Sequence, residues 1–113
     1  MATWDDVQRL ALALPEAEEG TLYGRTAFKV RGKAFVWESP HDFGACVVRV
    51  DPPERRLLLE ASPDAYYVTN HYLGYPMMLV NLDAIRHGEL RERLEDSWLL
   101  VAPSSLRAQL AGE

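Results

Sequence analysis

Between Thr26 and Glu38 the chain reads Thr-Ala-Phe-Lys-Val-Arg-Gly-Lys-Ala-Phe-Val-Trp-Glu, and this stretch limits the possible folds more than any other. Thr26, Phe28 and Val30 alternate with Ala27 and Lys29, a period of two that suits a strand with one buried face. Arg31-Gly32 supplies a two-residue turn before a second apolar-rich segment, Lys33 to Glu38. The two segments are expected to form a hairpin. With Arg31 and Gly32 as its loop, Phe28 would face Phe35 and Thr26 would face Trp37, which sets the large side chains on one face.

The flanking sequence changes period. Thr3 followed by Asp6 is a weak capping-box variant, and Trp4, Val7, Leu10, Ala11 and Leu14 recur at helical spacing until Pro15. Residues 16 to 25, with two glycines and an acidic cluster, read as a loop with at most a short extended piece at Leu22-Tyr23. After a turn at 39–44, Cys46, Val48 and Val50 alternate with Val47 and Arg49 in a third strand. Asp51-Pro52-Pro53 stops it, and Glu54 to Ala61 reads as a short helix ended by Ser62-Pro63. Tyr66 to Thr69 and Pro76 to Leu82 predict two further strands around a loop at Asn70–Tyr75. Leu90, Leu94, Trp98 and Val101 mark a long helix from Glu89 to Val101, closed by Pro103, and Ser104 or Ser105 caps a final turn through Leu106 and Leu110. This order describes an α+β, two-layer sandwich: an antiparallel sheet of about five strands with helices packed on one face.

The length of 113 residues fits one domain spanning 1–113, and 48% hydrophobic with 26% charged residues fits a packed core rather than disorder. No apolar run approaches the roughly 18 residues a membrane helix needs. The start lacks the basic and apolar regions of a secretion signal, so a cytoplasmic location and no membrane partner are expected. One cysteine, Cys46, allows neither an internal disulfide nor a cysteine-built metal cluster, and it reads as a buried inert thiol. The oligomeric state is left open, with a monomer as the default.

The net charge of −5 provides no long-range attraction to nucleic acid, but it is unevenly spread. Residues 25 to 56 hold seven bases and four acids, while the segments on either side are each at −4. A local patch of this kind can act within the ~8 Å over which exposed charges are felt at physiological salt. Lys29, Arg31 and Lys33 flank the hairpin turn, with Arg49 available from the neighbouring strand, a geometry that lets a two-stranded wing touch phosphates. The same bases also suit a hairpin that resists edge-to-edge association.

Catalytic signals are lacking. His41, His71 and His87 lie in predicted loops with no serine elbow or Cys-His signature, and no GxGxxG or GxxxxGK[ST] pattern is present. A non-enzymatic protein without a cofactor is the expectation. Two other readings stay open. Asp5, Asp6, Glu16, Glu18 and Glu19 gather hard oxygen ligands suited to a metal ion, although Asp5 and Asp6 equally suit a helix N-terminus. The aromatic run from Tyr66 to Tyr75, with Trp37, suits a pocket or interface for a small molecule or protein, and His71, Tyr72 and Tyr75 suit contact with sugar or bases.

Several segments carry a family resemblance: Trp4-Asp5-Asp6-Val7; Glu19-Gly20-x-x-Tyr23-Gly24; Ala27-Phe28-Lys29-Val30-Arg31-Gly32-Lys33-x-Phe35; Val47-Val48-Arg49-Val50-Asp51-Pro52; Tyr67-Val68-Thr69 leading to His71-Tyr72-x-Gly74-Tyr75-Pro76; and Leu94-x-x-Ser97-Trp98-x-x-Val101-Ala102-Pro103. Together they resemble the MmcQ/YjbR family over nearly the whole chain. The resemblance implies a frataxin-like α+β fold and weak DNA binding through two hairpin wings. Residues 29–34 would form the first wing and residues 71–75 the second. Lys29, Arg31, Lys33 and Arg49 would then meet phosphate, and His71, Tyr72 and Tyr75 would meet sugar or bases. The second wing has no lysine or arginine between Ala61 and Ile85. The frataxin-like architecture also supplies the alternative of iron handling by the amino-terminal acids.

Overall fold

A computed structural model describes residues 2–111 of the chain. Helix α1 (Trp4–Leu12) begins in a full capping box: the Thr3 hydroxyl accepts the Asp6 N–H at 3.3 Å, and the Asp6 carboxylate accepts the Thr3 N–H at 2.9 Å. Three strands follow, β1 (Ala17–Leu22), β2 (Arg25–Val30) and β3 (Lys33–Glu38). Both turns between them are X-Gly pairs with positive φ at each residue, 53° and 74° at Tyr23-Gly24 and 51° and 83° at Arg31-Gly32. That combination turns the chain with the twist that flanking strands require. Next come β4 (Ala45–Arg49), α2 (Pro52–Ala61), β5 (Tyr66–Tyr67), a 3₁₀ turn at Asn70–Tyr72, β6 (Met77–Asn81), α3 (His87–Val101) and α4 (Ser104–Ala111).

The six strands form one antiparallel sheet in the order β1-β2-β3-β4-β6-β5. The α+β class read from the sequence holds, with six strands in place of about five. The additional strand is β1, which the sequence assigned to a loop. Its acids and glycine give it little apolar pattern, and the pairing of Ala17 to Leu22 with Val30 to Arg25 makes it a strand. At the other edge, the expected strand Tyr66–Thr69 stops at Tyr67.

The register of the central hairpin also differs from expectation. Val30 pairs with Lys33 and Lys29 with Ala34, but then Phe28 faces Val36 and Ala27 faces Trp37. Phe35 is the extra residue of a β-bulge. The bulge turns both Phe35 and Val36 toward the helices, and both are buried there with Phe28, Cys46, Val48, Met78, Val80, Leu90, Leu94 and Trp98. Two large side chains thus enter one core from consecutive positions, which strict alternation forbids.

The sheet's second face has a smaller core of its own. Ala27, Ala34, Trp37, Ala45, Val47 and Leu79 are buried there beneath Tyr72, with no α-helix above them among the described residues. Val68 and Tyr72 pack onto this face, while His71, Leu73, Gly74 and Tyr75 stay exposed. No helix among the described residues is long and apolar enough to cross a membrane.

Candidate nucleic-acid interface

Strand pairing sets one row of side chains across the end of the helix-free face. Glu18 pairs with Lys29, Lys29 with Ala34, and Arg49 with Met77, while Arg49 reaches Ala34 through its side chain. The order across the sheet is thus Glu18, Lys29, Ala34, Arg49, Met77. Lys29 and Arg49 stand on strands two spacings apart, ~10 Å. Gly20 leaves space for the Lys29 stem, because a Cβ there would lie 3.3 Å from Lys29 Cε.

Arg49 is the better ordered of the two. Its Nε–H donates to the Ala34 carbonyl at 2.7 Å, and its guanidinium carbon lies 5.7 Å from the centroid of the buried Trp37 ring. That placement combines a charge-assisted hydrogen bond with a cation–π contact and leaves the positive charge uncompensated. Among the described residues neither Arg49, Lys29 nor Lys33 forms an ion pair with a carboxylate. Arg31 does. Its Nε lies 2.7 Å from Glu16 Oε1, and the pair holds the Glu16 carboxyl below its ordinary value through the hydrogen bond first and the Coulombic attraction second. At the hairpin turn Arg31 is matched by Glu16, and Lys33, with no bonded carboxylate among the described residues, pairs with Val30 of the helix-side core and so leaves β3 on the face opposite Lys29 and Arg49.

The segment from Asn70 to Pro76 borders the same row. Tyr72 is buried and its hydroxyl accepts the Trp37 Nε1–H at 3.4 Å, so this ring supports the surface from below. His71 is exposed and packs edge-on against Tyr72, with ring centroids 4.6 Å apart, and Tyr75 is 57% exposed. Arg55 on α2 fixes the segment by donating to the carbonyls of Tyr75 at 2.7 Å, Met77 at 2.9 Å, Leu73 at 3.3 Å and Tyr72 at 3.4 Å. Nothing local points to this role, because Arg55 looks like any other charged residue in a short helix. Ser97 was also missed, although a polar residue between Leu94 and Trp98 on the apolar stripe of α3 is a readable signal.

The acidic grouping is divided in two. Asp6 caps α1 and pairs with Arg9 at 3.0 Å, while Glu16, which holds Arg31, lines a depression with Glu18, Glu19, Lys29 and Gly32. Asp5 remains in the first turn of α1. Among the described residues no three His, Cys, Asp or Glu side chains come together as a metal site. The aromatic strip is likewise divided. Trp37, Tyr66 and Tyr72 are buried, and Tyr67 donates its hydroxyl to Asp42 at 2.9 Å. Arg49, Asp51, Pro52, Pro76 and Leu100 line a cleft of about 240 Å³, smaller than the usual small-molecule site. Cys46 is fully buried, and desolvation pushes its thiol up to about 12, so it is inert in the folded protein.

Comparison with known proteins agrees with this architecture. A family model described as YjbR matches residues 12–100. The uncharacterized proteins Mb2600 of Mycobacterium bovis and Rv2570 of Mycobacterium tuberculosis are each 33% identical to the chain over 123 residues, covering 94% of it and 93% of their own length. The crystal structure of Deinococcus radiodurans protein DR2400, with the family-model domain DUF419, superposes with a TM-score of 0.78 at 24% identity. It covers 98% of this chain and 89% of that one. That likeness is one of fold.

Proposed function

The chain belongs to the YjbR family, also written MmcQ/YjbR, and from that premise we propose that its helix-free sheet face binds DNA weakly through the phosphate backbone. One observation carries the reading: Lys29 and Arg49 share a row on a face without helices, and neither is neutralised by a bonded carboxylate among the described residues. Lys33 leaves β3 on the opposite face, beside Val30 of the helix-side core, and adds its charge only at the hairpin tip. Exposed Tyr75 and His71 border the row and supply an aromatic face and an imidazole for sugar or base contact. Arg31 adds little while Glu16 holds it, and Tyr72 contributes as a buried support.

The net charge of −5 opposes approach from a distance, so binding of this kind is short-ranged and salt-sensitive. Three phosphate contacts correspond to a slope of about −2.7 in log K against log salt. Fluorescence anisotropy of a short labelled duplex, titrated with protein at several salt concentrations, tests this. The Lys29→Ala/Arg49→Ala variant is expected to flatten the slope to about −0.9, and Glu16→Gln, which releases Arg31, to steepen it by about 0.9. Absence of binding at low salt, or a slope unchanged in the double variant, would sink the proposal.

A further inference from the structure

Ser97 is a fully buried polar side chain in the middle of α3's apolar stripe. Its surroundings explain why a hydroxyl is needed there. The β3–β4 ladder runs from Glu38↔Cys46 to Val36↔Val48, and the next step would join Phe35 to Arg49. The bulge at Phe35 interrupts β3 at this position. Ser97 Oγ spans the opening: it accepts the Arg49 N–H at 2.9 Å and donates to the Phe35 carbonyl at 2.5 Å. A hydroxyl from the helix layer thus replaces one rung of the sheet, and both backbone groups are satisfied inside the core.

The same rung fixes Arg49 at two points. Ser97 holds its backbone, and the Ala34 carbonyl, one residue before the bulge, takes its Nε–H on the other side of the sheet. We propose that Ser97 is a positioning residue for Arg49, holding the guanidinium so that its two Nη groups can grip one phosphate oxyanion. Lys29 and Lys33 then act as unoriented charges. The inference rests on the phosphate-binding reading of this face and deepens it: affinity depends on the orientation of Arg49 as well as its charge, and orientation is set from the opposite layer. A guanidinium held before binding loses less freedom on contact than a mobile one.

Two measurements separate this inference from the reading beneath it. In ¹⁵N spectra of the free protein, the Arg49 Nε–H is expected to be resolved and slow to exchange with solvent, and to be averaged away in Ser97→Ala. Duplex affinity is expected to fall about fivefold in Ser97→Ala, and to fall no further when that change is added to Arg49→Ala. An unchanged Nε–H signal in Ser97→Ala, or an equal loss of affinity in the Arg49→Ala background, would overturn the assignment, the latter by marking a generic packing effect. Should Ser97→Ala not fold, Ser97→Cys keeps a weaker hydrogen-bonding group in nearly the same volume. Its Nε–H exchange must then be faster than in the unaltered protein, and an equal rate overturns the proposal. If the unaltered protein binds no duplex, the DNA reading fails, while the resonance still decides whether Ser97 holds Arg49.

Discussion

Arg55 leaves an otherwise exposed helix and donates to four carbonyls between Tyr72 and Met77, which ties the loop and the start of β6 to α2 through one cation. Its charge is spent on loop geometry rather than offered to a ligand. Arg55→Ala is expected to destabilise the protein by about 1.5 kcal/mol, the lower end for charge-assisted hydrogen bonds because the group is partly solvated. Urea unfolding measures that loss, and amide hydrogen exchange at residues 72–77 should accelerate; unchanged exchange there would contradict the assigned role. The residue scale is also where the sequence was least legible. Lys29, Lys33 and Arg49 were identified from charge and strand position, and the row on the sheet puts Lys29 and Arg49 on a common face. The capture of Arg31 by Glu16 and of Tyr72 by Trp37 depends on pairings across 15 and 35 residues, which no local pattern encodes.

Among the elements, α1 was legible because its signals are local. Thr3, Asp6 and the apolar spacing from Trp4 act within a few residues of one another, and the structure realises them as a closed capping box. The box has a pH consequence. The Asp6 carboxyl is held below its ordinary value of 3.8, first by the Thr3 backbone N–H and then by Arg9. A carboxyl depressed in the folded state contributes fully above its unfolded value, and the contribution disappears as the pH falls through the lower folded one. Asp6→Asn is accordingly expected to unfold with a flatter acid dependence below about pH 4 than the unaltered chain. Parallel urea curves at neutral and acid pH check this, and equal slopes would remove Asp6 from the acid response. β1 and the bulge were illegible for the opposite reason. An edge strand with two glutamates and a glycine gains its conformation from β2, and the run Phe35-Val36-Trp37 is apolar whichever way it faces. Tyr23-Gly24 was the available clue, since it has the same X-Gly form as the turn at Arg31-Gly32.

At the scale of the whole molecule, one sheet serves two cores of unequal kind, a large one under helices and a small one under a folded segment. All strand neighbours except β4 and β6 are adjacent in sequence, which keeps most pairings short-ranged. The sheet is open, so it ends in two edges. β5 is only two residues long, and a backbone bond from the Asn81 N–H to the Ala65 carbonyl continues its side of the sheet. β1 is six residues long, and among the described residues its outer row of backbone groups has no strand beside it. The glutamates that obscured β1 as a strand are thus a safeguard against fibrous stacking of one molecule on the next. Glu18→Val/Glu19→Val is expected to scatter light at concentrations where its parent stays clear, and a variant that remained equally dispersed would show that this border needs no guard.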